Sequence, residues 1–125
     1  MLNFTGIGSA FNTELGNTSA FIRRQDSMIL IDCGGMTFHR LMKLKLLEGL
    51  KQLHIIITHT HPDHVGSLGD VIFFTHNTLK ITPKLYFPDI EWMGLFLKCI
   101  GVEEKMIEMV GNSAVEICGP EIGNM

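Results

Sequence analysis

His59-Thr60-His61-Pro62-Asp63-His64, arriving directly after the apolar run Ile55-Ile56-Ile57, is the stretch on which the reading of this chain turns. Three imidazoles and a carboxylate fall within six residues behind a buried-strand pattern, so a strand delivers four metal-ligand side chains into one tight loop. Neutral imidazole and carboxylate are the donors that borderline divalent cations such as Zn²⁺, Mn²⁺ and Fe²⁺ take, and two ions can share donors this closely spaced. A histidine-rich surface turn is the plainer alternative, and His61-Pro62 does favour a turn. A turn by itself has no need of His59, Asp63 and His64 at these offsets. The metal reading requires strand, then loop, then helix around the motif.

With Gly66 and a short apolar helix pattern behind it, His59-x-His61-x-Asp63-His64 resembles the signature of the metallo-β-lactamase fold superfamily. The resemblance implies that His59 and His61 hold one metal and that Asp63 and His64 hold the other. It implies two divalent cations, Zn²⁺ first with Mn²⁺ as the alternative, and gives Asp63 a catalytic part as ligand and proton acceptor. That family stacks two α/β halves as an αββα sandwich with the dinuclear site at the seam. The chain is similar to the N-terminal half, so the expected fold class is α/β, with residues 1–125 as one metallo-β-lactamase-like domain incomplete at its C-terminus. The family's later ligands are a third histidine, a bridging aspartate and a final histidine, yet no histidine follows His76 and Asp89 is the only later aspartate. The expectation is a fragment or truncated form, or a chain completed by a second subunit: a homo-oligomer, or a pairing with a missing C-terminal half. Each metal would then be held loosely.

Length and composition agree with one globular domain. The chain has 125 residues, 46% of them hydrophobic and 18% charged, which excludes a disordered segment. A net charge of −3 recruits no polyanion over the whole surface, so affinity for phosphate has to be local and supplied by bound cations. Cys33, Cys99 and Cys118 are odd in number and lack C-x-x-C spacing, which indicates neither a disulfide framework nor a thiolate zinc site. A reducing, cytoplasmic compartment is expected. The start, Met1-Leu2-Asn3-Phe4, has no basic n-region or long apolar h-region, and no run reaches the length of a membrane span, so a soluble, unsecreted protein is expected.

Along the chain, Leu2–Thr5 alternates as a half-buried strand ending at Gly6. Gly6-x-Gly8-Ser9 lacks the third glycine and the following helix of a dinucleotide loop. Within the superfamily such a turn, followed by Gly16-Asn17-Thr18-Ser19, is similar to the branch of ribonuclease Z and related phosphodiesterases. Ser19–Arg23 and Ser27–Asp32 form a hairpin across Arg24-Gln25-Asp26. The second strand runs into Asp32-Cys33-Gly34-Gly35, and a buried carboxylate is costly without a partner. A turn amide would satisfy it. The resemblance instead puts Asp32 behind the ligand loop, where it holds a histidine in the right tautomer.

Met36–Leu47 reads as a helix presenting Phe38, Leu41, Met42 and Leu44 to the core and stopped by Glu48-Gly49. Gln52–Ile57 is a strand buried on both faces, with His54 structural, and Val65–Phe74 is a helix whose N-terminus points at the metals. Thr75–Thr82 reads as a loop, with His76 in it and exposed. Lys84–Phe87 is a strand, Asp89 caps a helix over Ile90–Cys99 with Trp92, Leu95, Phe96 and Cys99 as its core face, Glu103–Val110 adds a short helix, and Ala114–Ile117 a last strand. The function implied is a metal-dependent phosphodiesterase. The N-terminal pattern is similar to enzymes of the anti-Pycsar type that degrade cyclic mononucleotides. The alternatives are tRNA 3′-end processing of the ribonuclease Z kind and a non-catalytic metal-binding or assembly half-domain. Thioester or lactam hydrolysis uses the same loop.

Overall fold

In the computed structural model of the chain, residues 2–6, 19–58 and 60–111 are described, with residues 4–6, 62 and 63 described by backbone alone. Among the described residues six strands form one sheet in the order in which they occur: β1 (Asn3–Gly6), β2 (Ser19–Arg24), β3 (Ser27–Ile31), β4 (Gln52–Ile56), β5 (Lys84–Tyr86) and β6 (Glu108–Val110). The first two pairings are antiparallel and the last three parallel. The hairpin β2–β3 turns at Gln25, which takes the left-handed conformation at φ 51°. Parallel neighbours need crossovers, and these are α1 (Thr37–Lys43), the pair α2 (Pro62–Val65) and α3 (Leu68–Asn77), and α4 (Ile90–Cys99). Because each crossover steps one strand in the same direction, a common right-handed sense puts the helices on one face of the sheet.

That face is the core. Met28 and Leu30 of β3, Leu53 and Ile55 of β4 and Leu85 of β5 lie in register and are closed off by Leu41, Leu68, Val71, Ile72, Met93 and Leu97 from the helices. The alternate residues Ile29, His54 and Tyr86 are also buried, which is why β3 and β4 read as near-continuous apolar runs. The Arg23 guanidinium fastens the chain after α1 to the hairpin: it donates to the carbonyls of Leu46, Glu48 and Gln25.

Several helical expectations are corrected. The first helix stops at Lys43 rather than Leu47, because Lys45 turns left-handed at φ 57° and the Leu46 amide bonds the Leu41 carbonyl. Met42 and Leu44 are exposed, and Leu41 with Leu47 does the packing. The expected helix over Val65–Phe74 is two pieces, broken at Gly66-Ser67, and the second runs on to Asn77, so Thr75 and His76 are helical and not in a loop. Its start at Leu68, not at Asp63-His64, removes the proposed alignment of a long helix N-terminus with the ligands. Asp89 does cap α4, its Oδ1 accepting from the Trp92 amide at 3.0 Å. The buried face of that helix is nevertheless Met93 and Leu97, with Trp92, Leu95 and Cys99 exposed. Gly94 explains the choice: a side chain there would stand 3.2 Å from the Met109 methyl, so this side of α4 lies close against β6. Glu103–Val110 divides into a 3₁₀ turn at Glu104–Met106 and the edge strand β6, and the strand expected at Ala114–Ile117 lies outside the described residues. Among the described residues no helix is long and apolar enough to cross a membrane.

Candidate metal centre

In open parallel sheets, ligands collect beyond the carboxyl ends of the strands. Here β3 runs on into Asp32 and β4 into Ile57-Thr58, side by side, and the loop of expected ligands follows the second of these ends. Asp32 continues the ladder for one more bond, its amide donating to the Ile56 carbonyl at 2.8 Å, and then turns left-handed at φ 63°. Aspartate is among the few residues that tolerate this conformation. The Ser19 hydroxyl holds the turn by donating to the Asp32 carbonyl at 2.9 Å.

The turn carries the Asp32 side chain, only 8% exposed, back toward β4. There it accepts from the Thr58 amide at 2.7 Å, from the Thr58 hydroxyl at 2.7 Å, and meets His64 Nδ1 at 2.9 Å. A carboxylate only accepts, so a neutral His64 ring facing it carries its proton on Nδ1 and its lone pair on Nε2. This is the arrangement that orients a histidine for a metal. Two backbone bonds tie the same pieces together from below: the Cys33 amide donates to the His64 carbonyl at 2.6 Å, and the Ser67 amide to the Cys33 carbonyl at 3.1 Å. The Ser67 hydroxyl donates to the Gly34 carbonyl and accepts from the Phe38 amide. The glycine turn after β3 and the turn after the ligand loop are thus one hydrogen-bonded unit.

Thr58 and Ser67 are members of this unit that the sequence reading passed over. A signal for Thr58 existed in the requirement that Asp32 find a partner at the neighbouring strand end, while Ser67 had none. Cys33 is buried in the unit, and burial pushes its thiol up to about 12 from 9.0.

The donor chemistry fits a divalent cation, with His64 oriented by Asp32 and with His61 exposed at the loop. Of the other expected ligands, His59 and the Asp63 side chain lie outside the described residues. Among the described residues no three histidine, cysteine, aspartate or glutamate side chains converge as a metal site. His76 lies about 12 Å along α3 from Leu68 at 1.5 Å per residue, well away from the loop. His39 is exposed on α1 and His54 is buried within β4.

A half-sandwich with these donors beyond its strand ends defines a protein of the metallo-β-lactamase fold. The metallo-β-lactamase fold protein YhfI of Bacillus subtilis superposes with a TM-score of 0.67 at 18% identity, over 91% of this chain and 46% of that one. Within that class the family model described as anti-Pycsar protein Apyc1 matches residues 1–100, and the chain belongs to this family. It is 33% identical to the anti-Pycsar protein Apyc1 of Paenibacillus xerothermodurans over 88 residues, 70% of this chain and 34% of that protein. It is 42% identical to ribonuclease Z of Saccharolobus islandicus over 71 residues, 55% of this chain and 24% of that protein. The chain therefore spans about a third or less of the length of these curated relatives.

Proposed function

We propose that this chain carries the N-terminal half of a metal-dependent phosphodiesterase site whose substrate is a cyclic mononucleotide. Family membership and phosphodiesterase-type relatives support the reaction class. The observation that carries the site is the 2.9 Å contact between Asp32 and His64 Nδ1 at the carboxyl edge of the sheet. In this reading His59 and His61 hold one cation, and Asp63 and His64 the other. The cations, Zn²⁺ or Mn²⁺, supply Lewis acidity and a water of lowered pKa. Asp32 keeps the proton of His64 on Nδ1, so that Nε2 faces its task as a neutral donor. Thr58 fixes the Asp32 carboxylate with two hydrogen bonds, and Asp63 is the ligand that also takes a proton. The rest of the ligand set comes from a C-terminal half or from a second copy of the chain, and the protein is cytoplasmic.

The 42% identity to a ribonuclease Z favours tRNA 3′-end processing as the second reading. Incubation of the protein with Mn²⁺ or Zn²⁺, a set of 3′,5′-cyclic nucleotides and a tRNA precursor separates the two. Metal-dependent turnover of a cyclic nucleotide with the precursor uncut is expected. Cleavage of the precursor alone reverses the order, and turnover of neither leaves a metal-binding assembly module. The His61→Ala protein should lose bound metal while keeping its fold; metal content equal to that of the parent protein contradicts the ligand assignment.

A further inference from the structure

Between α3 and α4, beside the ligand loop, lies a cavity of about 410 Å³ that the metal site does not use. Thr60, Gly66, Asp70, Phe73, Phe96 and Ile100 line it. Thr60 stands between His59 and His61, so the ligand loop borders the cavity. From there Gly66, Asp70 and Phe73 follow at four- and three-residue steps, one side of the chain entering and continuing along α3. Leu68 to Phe73 is a rise of about 8 Å, so the lining extends along α3 away from the turn at Gly66.

Its walls suit a flat neutral ring. Phe96 lines the cavity, and Trp92, one helical turn earlier on α4, stacks on it with centroids 5.4 Å apart and planes at 9°. Phe87 continues the row at 6.2 Å from Trp92. The core takes α4 through Met93 and Leu97 and leaves Trp92 41% exposed. Asp70 is the one charged residue among the described residues of the lining, and these offer an acceptor and no cation for a second phosphate. Aromatic platforms of this kind bind unpaired bases by stacking, and a carboxylate beside them accepts from an exocyclic amino group.

The geometry points to a nucleobase subsite in this cavity: with the phosphate at the ligand loop, the base of a cyclic mononucleotide lies on Phe96 and Phe73, and Asp70 accepts from its exocyclic amino group. The inference rests on the phosphodiesterase reading for the phosphate end and names the part of the chain that reads the base. It favours adenine, cytosine and guanine over uracil, which has no amino group.

Trp92 is the only tryptophan of the 125 residues, so its fluorescence reports on the cavity. With metal chelated, titration of the full chain with 3′,5′-cyclic AMP should quench Trp92 saturably, while ribose 5-phosphate, which has no base, should neither quench nor compete. Phe96→Leu and, by equilibrium dialysis, the exposed-site variant Trp92→Leu should each weaken cyclic AMP binding by about tenfold, with both variants still unfolding cooperatively. Asp70→Asn should weaken cyclic AMP and leave cyclic UMP as it was. Equal binding of cyclic AMP and ribose 5-phosphate, no binding of cyclic AMP, or unaltered affinity in both aromatic variants overturns the inference. Addition of Mn²⁺ separates it from the reaction: base-dependent binding without hydrolysis sinks only the phosphodiesterase reading, and hydrolysis whose KM ignores Phe96→Leu sinks only the subsite.

Discussion

Two histidines of this molecule make nearly the same bond and serve different ends. His64 Nδ1 lies 2.9 Å from Asp32 at the carboxyl edge of the sheet, and His54 Nδ1 lies 3.0 Å from the Tyr86 hydroxyl in its middle. The His54 and Tyr86 rings are 5.9 Å apart and both residues are buried. A tyrosine hydroxyl donates or accepts, so either tautomer of His54 satisfies the pair, whereas a carboxylate leaves His64 a single neutral tautomer. His64 stays 19% exposed in its side chain and follows a loop of potential ligands, while His54 is enclosed between strands. The partner and the place along the strand, not the residue type, separate a histidine held in one neutral tautomer at the strand ends from one that fills a sheet.

Replacement of Asp32 by Ala should break this contrast most. It removes the acceptor of the Thr58 amide, the Thr58 hydroxyl and His64, and puts a Cβ without a local polar partner at φ 63°. A loss of about 3–5 kcal/mol in urea unfolding is expected, as for breaking a buried polar pair from one side. Asp32→Asn, which keeps an acceptor oxygen and tolerates the backbone, should lose less. Equal losses would mean that the carboxylate is not the organiser of the unit.

Tyr86→Phe in the sheet should cost about 1–2 kcal/mol, because it leaves His54 Nδ1 without the hydroxyl it meets now. The variant should bind metal as the parent protein does. A fall in metal content would join the two histidines in one network and remove the distinction drawn between them.

The smallest effect concerns Cys33, beneath the unit. Its folded thiol is raised to about 12 while the unfolded one ionises near 9.0, so below 9.0 the contribution is fully present, and it is lost as pH rises from 9.0 toward 12. Thermal midpoints should decline over that window and decline less in Cys33→Ala. At pH 8, iodoacetamide should modify exposed Cys99 and leave Cys33 untouched until the protein unfolds. Rapid native labelling of Cys33 would show that the turn under Asp32 opens readily.

The sequence by itself determined the succession of strands and helices as far as α4, the hairpin, the Asp89 cap and the need of Asp32 for a partner. Each of these follows from local rules: a period of two, a turn residue, a side chain three residues from an amide, a desolvated carboxylate. Only the tertiary structure decided which faces of the helices are buried. Ile90, Trp92, Met93, Leu95, Phe96 and Leu97 put apolar groups almost all round α4, so periodicity had no phase to choose, and the close approach of Gly94 to Met109 chose it. The same holds for α1, where a left-handed Lys45 ended the helix before Leu44 reached the core. Ser67 was illegible because its partners, the Gly34 carbonyl and the Phe38 amide, stand about thirty residues away along the chain and meet it only when two strand ends lie side by side. Local chemistry is written in neighbouring residues, but the pairing of distant turns and the choice of a buried face are properties of the packed sheet.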